Sequence, residues 1–291
     1  MAVKRIGNEA MLHYPKRILF IGECAELALS FSGCGFLGTY HFGVLSCFNR
    51  NGKPILRKTK RCAGASSGSL VAALLVLSPG KAKEGLNMVY ALAKELSSLK
   101  FGAITPGFSL NERLTKIVDE HIPDDISPAQ GKLFISLTHQ KKHNNLIVSK
   151  FKSREYLIKC LSASCFIPMY SMGFNAFANP PVIDNEPYID GGYSNNLPEF
   201  DDIPTVTISP FSGNASIAPL DNNPLRSLFE WRMTLGNQQM NVNLQNIVRG
   251  AQALFPPSID VLTSYFRMGY RDAFKFLIEN NLLEREEGTA V

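Results

Sequence analysis

Short apolar stretches alternate with helical stretches along residues 27–208, and this alternation restricts the fold more than any other feature of the sequence. The short stretches favour extended backbone and are bounded by turn-forming residues. Strands are predicted at 27–32, 58–63, 132–138, 145–149, 188–190 and 204–208. Strands separated by helices favour a mostly parallel sheet that is covered by helices on both faces. The expected fold class is therefore α/β.

The helical stretches divide the chain into regions. Apolar residues at helical spacing predict an amphipathic helix, and they are Leu86, Val89, Leu92, Leu96 and Leu99. Beyond Ser209, asparagine and glutamine become frequent at 222–246, and Pro256-Pro257 separates two helical stretches. We expect a leader at 1–26 that is disordered or folds across the domain, a sheet domain at 27–210, and a helical region at 211–291 that packs on it.

The composition excludes several classes of protein. The longest apolar run, at 70–77, has eight residues, whereas a membrane-spanning helix needs roughly 18. The N-terminus lacks the apolar stretch of a signal peptide, so we expect the protein to stay inside the cell. The six cysteines form no C-x-x-C pair. Neither a disulfide framework nor a zinc site is therefore expected.

Basic residues are concentrated in two stretches, 50–61 and 126–154. Each stretch contains six lysine and arginine residues and no acidic residue. They are either solvated loops or surfaces attracted to anionic lipid head groups. Nucleic acid is not expected as a partner, because a formal net charge of +5 is small for 291 residues.

The pentapeptide Gly64-Ala65-Ser66-Ser67-Gly68 has the pattern G-x-S-x-G between a predicted strand and a predicted helix. This is the context of a nucleophile elbow, in which a tight turn pushes the central serine outward. Glycines are needed two residues away on either side, because side chains there would collide with neighbouring backbone. Only Ser66 has a glycine at both positions. Ser66 is therefore the candidate nucleophile.

A second glycine motif, Gly33-Cys34-Gly35-Phe36-Leu37-Gly38, follows the first predicted strand. Its successive amides can form an anion-binding nest, which would serve as an oxyanion hole beside Ser66. The motif also matches the dinucleotide fingerprint G-x-G-x-x-G, which requires an acidic residue about 20 positions later. That region is the basic stretch 50–61. A phosphorylated dinucleotide tolerates arginine there, so cofactor binding stays open as an alternative.

The proton acceptor for Ser66 is harder to identify. The five histidines lie at 13, 41, 121, 139 and 143, and no glycine-framed acid completes a Ser-acid-His order with the later ones. Asp190 ends a short predicted strand and is followed by Gly191 and Gly192, which allow close approach of a substrate. Asp190 is the candidate base, provided that an apolar cleft raises its basicity. His41 is the rival base.

These three motifs, in this order, resemble the patatin-like phospholipase family. Further stretches resemble its animal branch of adipose-triglyceride-lipase-like proteins, and they are 101–107, 164–168, 207–213 and 253–257. The likeness covers roughly residues 27–283. The length of the chain resembles that of the short members of this branch.

The resemblance implies a three-layer α/β/α fold and a Ser-Asp dyad without histidine. By position, Ser66 is the nucleophile and Asp190 the base. The implied oxyanion hole is the loop of Gly33, Cys34, Gly35, Phe36, Leu37 and Gly38, and the supporting glycines are Gly64, Gly68, Gly191 and Gly192. No cofactor and no metal are implied.

The resemblance also implies an activity. We expect a lipid acyl-ester hydrolase of the triacylglycerol lipase or retinyl ester hydrolase type, with acyl transfer to another alcohol left open, as is a protein coactivator. The expected location is the cytoplasm, at the surface of membranes or lipid droplets. The acyl channel is expected to include Phe36, Leu37, Phe166, Ile167 and Met169. The alternatives are a lipid-binding or regulatory protein with the same fold, and a dinucleotide-binding oxidoreductase.

Overall fold

The structure is a computed structural model that describes residues 21–173, 179–221 and 232–284. Most of the expected leader, at 1–20, lies outside these residues, as do 222–231 of the asparagine-rich stretch and 285–291. Residues 21–26 are described, and the Lys58 ammonium donates a 2.6 Å hydrogen bond to the Gly22 carbonyl. This end of the leader therefore packs beside the start of the second strand.

Nine strands and eight helices are described. The strands are β1 Leu27–Phe31, β2 Thr59–Gly64, β3 Leu133–His139, β4 Asn145–Val148, β5 Val182–Ile183, β6 Glu186–Asp190, β7 Thr205–Ile208, β8 Arg232–Leu235 and β9 Gln238–Asn241. The helices are α1 Gly38–Asn51, α2 Lys53–Lys58, α3 Ser67–Leu77, α4 Ala82–Ser97, α5 Leu110–His121, α6 Arg154–Ser164, α7 Leu244–Leu254 and α8 Ile259–Glu279. Short 3-10 turns include Gly35–Leu37 and Gly191–Tyr193.

The sheet is parallel over its central strands and antiparallel at one end. Strands β3, β2, β1 and β7 are parallel neighbours in that order, and β4, β5 and β6 pair antiparallel. All five residues of β1 are buried, as expected for a parallel strand with both faces covered. The predicted α/β class with a mostly parallel sheet is confirmed, and each predicted strand lies within two residues of an observed one.

Strand β3 has three partners on its two edges. It pairs with β2 through 133–135, with β4 through 135–138 and with β6 through 137–139. Because β4 overlaps both of the others along β3, it occupies one edge alone. Strands β2 and β6 therefore share the other edge, end to end, with Gly64 opposite Ile135 and Asp190 opposite Leu137.

The region after residue 211 contains more than the expected helices. Strands β8 and β9 form an antiparallel hairpin, which the sequence did not predict because its asparagine and glutamine residues lack strand periodicity. Helices α7 and α8 lie on either side of Pro256-Pro257, as expected. No helix in the described ranges combines the length and hydropathy needed to cross a membrane.

Helix α8 packs directly against helix α1 at two glycines. A Cβ atom on Gly269 would lie 2.1 Å from the carbonyl oxygen of Tyr40, and one on Gly43 would lie 2.0 Å from the carbonyl oxygen of Phe266. The Tyr40 hydroxyl donates a 2.9 Å hydrogen bond to Asp272 across the same interface. The two helix backbones are therefore in contact, and α8 is fixed on the sheet domain.

We predict that Gly269→Ala destabilises the protein by about 1–3 kcal/mol, because the added methyl group forces the two helices apart. Gly250→Ala, within helix α7, is the matched control. The Cβ of alanine at this position would meet no atom within 4 Å. The free energy of unfolding of the control should therefore rise by about 0.5–1 kcal/mol, because alanine has a higher helix propensity than glycine. Chemical denaturation measures both changes in the free energy of unfolding. Equal effects of the two substitutions would contradict the close packing.

Candidate active site

Ser66 occupies a strained turn between β2 and α3. Its backbone angles, φ 51° and ψ −133°, lie in a region that costs a residue with a side chain about 1–3 kcal/mol. A Cβ atom on Gly64 would lie 2.4 Å from the carbonyl carbon of Gly68, and one on Gly68 would lie 2.1 Å from the carbonyl oxygen of Phe31. Both glycines are needed for the turn, for the reason the sequence suggested.

Serine hydroxyls hold this turn in place. The Ser66 amide donates a 2.9 Å hydrogen bond to Ser164 Oγ, and Ser164 Oγ donates a 2.8 Å bond to the carbonyl oxygen of Ser136 in β3. The Ser66 carbonyl accepts a 2.7 Å bond from Ser69 Oγ. The backbone of Ser66 is therefore tied to α6, β3 and the first turn of α3.

Asp190 is held at the end of β6 by three hydrogen bonds. Its amide donates to the Phe166 carbonyl at 2.8 Å, its carbonyl accepts from Thr138 Oγ1 at 2.8 Å, and its Oδ1 accepts from the Gly192 amide at 2.7 Å. The residue is 5% exposed. Its position is therefore fixed by the backbone as well as by the carboxylate.

The environment of Asp190 changes its acidity. Burial raises the pKa of Asp190 from its ordinary value to about 7, although hydrogen bonds from the Ser66 side chain and the Gly192 amide lower it. A buried carboxylate with few compensating donors is a stronger base than one in water. The prediction that Asp190 acts as a base calls for a raised pKa of this kind, and the role itself stays a prediction.

Ser66 and Asp190 meet in one cavity. They lie 124 residues apart in sequence, and the end-to-end arrangement of β2 and β6 on β3 brings them together. Both line a cavity of about 380 Å³. The other residues around it are mostly apolar, and they include Phe36, Leu70, Leu92, Leu110, Leu114, Ile167, Tyr170, Phe211, Leu235 and Leu254.

The glycine loop lies beside Ser66, but only part of it is free to bind a ligand. The amide of Gly33 donates to Asn196 Oδ1 at 3.1 Å, and that of Cys34 donates to Ser67 Oγ at 3.1 Å. The amides of Leu37 and Gly38 donate to carbonyls within the 3-10 turn. Among the described residues, the amides of Gly35 and Phe36 have no acceptor, and both residues line the cavity. Within the loop at 33–38, these two amides are the available donors.

A second, smaller cavity adjoins the first. It measures about 130 Å³ and shares Gly35, Ser67, Leu70, Val89, Leu92 and Leu114 with the larger one. The residues of α3, α4 and α5 that enclose it are largely apolar. Of the five residues expected to form an acyl channel, Phe36 and Ile167 line the larger cavity. Leu37 and Phe166 are buried in the core, and Met169 is exposed.

His41 does not reach the cavity. Its Nε2 lies 2.9 Å from the carbonyl oxygen of Ser32 and therefore acts as a donor, and the ring is fully buried. Burial lowers the pKa of His41 to about 4. The geometry therefore disfavours the rival base that the sequence left open.

The basic stretch 50–61 lies away from the cavity. It ends within β2, whose first residues lie at the end of the strand opposite Ser66. Arg61 binds Asp202 with two 2.7 Å hydrogen bonds. Arg57 and Lys60 form ion pairs with Glu284 and Glu26. All six cysteines are buried and form no disulfide. The described residues contain no cluster of histidine, cysteine and acidic side chains that could hold a metal.

Sequence reasoning missed the polar residues that connect the site to the C-terminal hairpin. Asn196 Oδ1 accepts from the Gly33 amide, and Asn196 Nδ2 donates to Gln238 Oε1 at 2.7 Å. Gln238 Nε2 then donates to Ser209 Oγ at 2.6 Å. The proximity of Asn196 to the Asp190-Gly191-Gly192 motif was the one available signal, since nothing in the sequence pairs it with residue 238.

Comparisons with known proteins identify the family to which the sequence is similar. The sequence model of the patatin-like phospholipase family matches residues 29–202. Human patatin-like phospholipase domain-containing protein 4 is 40% identical over 89% of this chain and 99% of its own length. Rat patatin-like phospholipase domain-containing protein 2 is 37% identical over 88% of this chain, which spans about half of that protein. The mouse protein named 1-acylglycerol-3-phosphate O-acyltransferase Pnpla3 is 33% identical over 88% of this chain and 60% of its own length.

We predict that the stability of Asp190→Asn, relative to that of the parent protein, increases as the pH rises from 5 to 8. The native protein holds a proton on Asp190 up to a pKa of about 7, whereas the unfolded chain releases it near pH 4, so the native state loses stability over this interval. Asparagine removes that loss. Thermal melts at both pH values should show the difference in Tm, variant minus parent, increasing with pH.

Asp202→Asn is the control for this experiment. The carboxylate of Asp202 is exposed, and its hydrogen bonds with Arg61 hold its pKa below the usual range. It stays ionised from pH 5 to pH 8, so the effect of its substitution should not change over the interval. The same pH trend in both variants would contradict a raised pKa at Asp190.

Proposed function

The chain belongs to the patatin-like phospholipase family, and from that membership we propose that it is a serine hydrolase of neutral lipid acyl esters. The family implies a lipid hydrolase or acyltransferase. The single observation that carries the finer proposal is the meeting of Ser66 and a buried, basic Asp190 in one apolar cavity.

The proposed reaction has two steps. Asp190 accepts the proton of the Ser66 hydroxyl as Ser66 Oγ attacks the ester carbonyl carbon, and the amides of Gly35 and Phe36 hold the negative oxygen that forms. The tetrahedral intermediate collapses, the ester bond breaks, and the alcohol leaves with the proton from Asp190. The acyl-enzyme is then released to water, or to an acceptor alcohol, by the same steps with the second nucleophile in place of Ser66.

The oxyanion hole in this proposal is narrower than the whole loop at 33–38. The amides of Gly33 and Cys34 orient the loop through Asn196 and Ser67. Gly35 has a φ of 52°, and a Cβ atom there would lie 2.0 Å from the carbonyl oxygen of Ala253. Glycine at 35 therefore permits this turn of the loop while helix α7 packs against it.

The cavity favours a neutral ester over a phospholipid. No lysine, arginine or histidine is found among the described residues that line the larger cavity, and Asp190 is the acidic residue there. A buried phosphate without a cationic partner is unfavourable. Two adjoining apolar cavities accommodate long acyl chains instead. Triacylglycerol and retinyl ester both fit this description, and a panel of esters in matched micelles separates them.

The proposed location is the cytoplasm, at the surface of membranes or lipid droplets. Whether activity requires a protein coactivator is left open. The catalytic domain in this proposal spans 27–210, and the region from 211 closes the cavity with Phe211, Leu235 and Leu254.

Acyl transfer to a glyceride is the second candidate activity. It is suggested by the name of the mouse relative, which describes an acyltransferase.

We predict that a fluorophosphonate probe labels the purified protein and that Ser66→Ala abolishes both labelling and ester hydrolysis, because the probe reacts only with an activated serine. Ser67→Ala is the matched control within the same pentapeptide. It removes the hydroxyl that accepts a hydrogen bond from the Cys34 amide, so labelling should slow, but the labelled residue should still be Ser66. Gel fluorescence and mass spectrometry of the labelled peptide measure the outcome. A protein that binds lipid without turnover, or a dinucleotide oxidoreductase, would not be labelled.

We predict that Asp190→Asn lowers kcat/KM by about 10²–10⁴-fold, the usual contribution of a general base. In the parent protein, kcat/KM should rise with pH and level off above about 7, because only the ionised carboxylate accepts a proton. Initial rates on a soluble short-chain ester between pH 5 and 9 provide the profile. Full activity in the folded variant would rule out the dyad.

A further inference from the structure

Helix α7 exposes its apolar residues and buries its charged one. Leu244 is 72% exposed and Ile247 is 65% exposed, whereas Arg249 is 5% exposed. Positions 244, 247, 248 and 254 fall on one side of a helix with 3.6 residues per turn, and the exposed Phe255 follows directly after the helix. We call this set, Leu244, Ile247, Val248, Leu254 and Phe255, the apolar face of α7. An ordinary surface helix has the opposite arrangement.

A buried ion pair sets this orientation. The Arg249 guanidinium binds both carboxylate oxygens of Asp221, at 2.8 and 2.7 Å, and Asn246 Oδ1 at 2.8 Å. Asp221 also accepts hydrogen bonds from Ser212 Oγ and Asn243 Nδ2. Because Arg249 must face the protein to make these bonds, the opposite side of the helix must face outward. A lost charge pair would be costly in the interior, so the orientation is firmly held.

The apolar face is continuous with the mouth of the larger cavity. Leu254 belongs to both, and Gly250 and Ala253 of the same helix line the cavity. Across the mouth, Leu235 of the hairpin and Tyr193 also line the cavity and are themselves exposed. Phe255 packs edge-on against Tyr170, another residue of the cavity wall. A lipid that leaves a surface in contact with α7 would enter beside Ser66 without crossing water.

The chemistry of this surface favours lipid over a protein partner. From residue 233 to residue 258 the sequence has no aspartate, glutamate or lysine, and its single arginine is the buried Arg249. The 26 consecutive residues from 233 to 258 thus present no formal charge to solvent. A protein interface usually has a charged or polar rim, whereas a surface without charge is complementary to the apolar layer of a lipid surface.

We propose that the apolar face of α7 inserts into a lipid surface and sets the cavity mouth against it. The inference rests on the proposed function, since it assigns the surface from which the ester substrate enters. The basic stretch 50–61 leads into β2 at the end of the strand opposite Ser66. Attraction of that stretch to anionic head groups would therefore point the cavity mouth away from the lipid.

The test is sedimentation of the protein with phosphatidylcholine vesicles, made on a Ser66→Ala background so that no lipid is consumed. Ile247→Gln is expected to lower the partition coefficient at least about tenfold, because a large exposed apolar side chain is replaced by a polar one. Ile278→Gln is the matched control. Ile278 is 53% exposed near the far end of α8, and its substitution should leave binding unchanged.

Four results would overturn the proposal. These are no binding of the parent to vesicles, equal effects of the two substitutions, binding that requires phosphatidylserine and is lost in high salt, and a dimer in solution that Ile247→Gln dissolves. The first would leave a protein partner as the occupant of the face, and the last a second copy of the chain. Thermal melts establish that Ile247→Gln is folded.

A separate measurement keeps this inference distinct from the proposed function. Ile247→Gln with Ser66 intact should retain fluorophosphonate labelling and hydrolysis of a soluble short-chain ester, while its rate on vesicle-embedded ester falls with binding. Absence of labelling in the parent would refute the hydrolase and leave the vesicle result standing. A normal vesicle rate in Ile247→Gln would refute the docking surface and leave the hydrolase standing.

Discussion

The shared edge of strand β3 is the constraint on which the site depends. Strand β2 ends at Gly64 on that edge. Strand β6 runs along the same edge in the opposite direction and ends at Asp190, so the carboxyl ends of the two strands face each other across a gap. A sheet normally satisfies backbone groups by a continuous ladder. At this gap the hydroxyls of Ser136, Ser164 and Thr138 supply partners instead. At this opening in the ladder, both Ser66 and Asp190 line the larger cavity.

The same gap explains why the local costs are tolerated. Ser66 is held in a strained backbone conformation, and Asp190 is buried with a raised pKa. Neither state would persist on a loop, because each is relieved by a small movement of the backbone. Here Ser164 binds the Ser66 amide, and Phe166, two residues later, binds the Asp190 amide. The last residue of α6 and the residues just after it thus prevent both Ser66 and Asp190 from relaxing.

The parts of the fold and site that could be predicted are those with a local cause. Side chains in place of the glycines around Ser66 would clash with backbone four residues away or in the neighbouring strand, so the spacing of these glycines predicts the turn. The strands are predicted by their own apolar patterns. The pairing of Ser66 with Asp190 depends on which edge of β3 each strand takes, and no local pattern encodes an edge. The β8–β9 hairpin and the contact between Asn196 and Gln238 are missed for the same reason, since their polar residues become informative only once packed together.

Helix α7 shows a second limit of reading apolar periodicity as packing. Its periodicity is as regular as that of α4, and the usual interpretation would place the apolar side against the core. The direction is decided instead by Arg249, because turning the helix over would leave Asp221 buried without its cationic partner. Burial alone raises the pKa of Asp221, but hydrogen bonds from Arg249 and Ser212 hold it below its usual value, so the pair stays charged. An ion pair of this kind contributes little net stability; what it determines is which face of the helix meets solvent, and hence the character of the surface around the mouth.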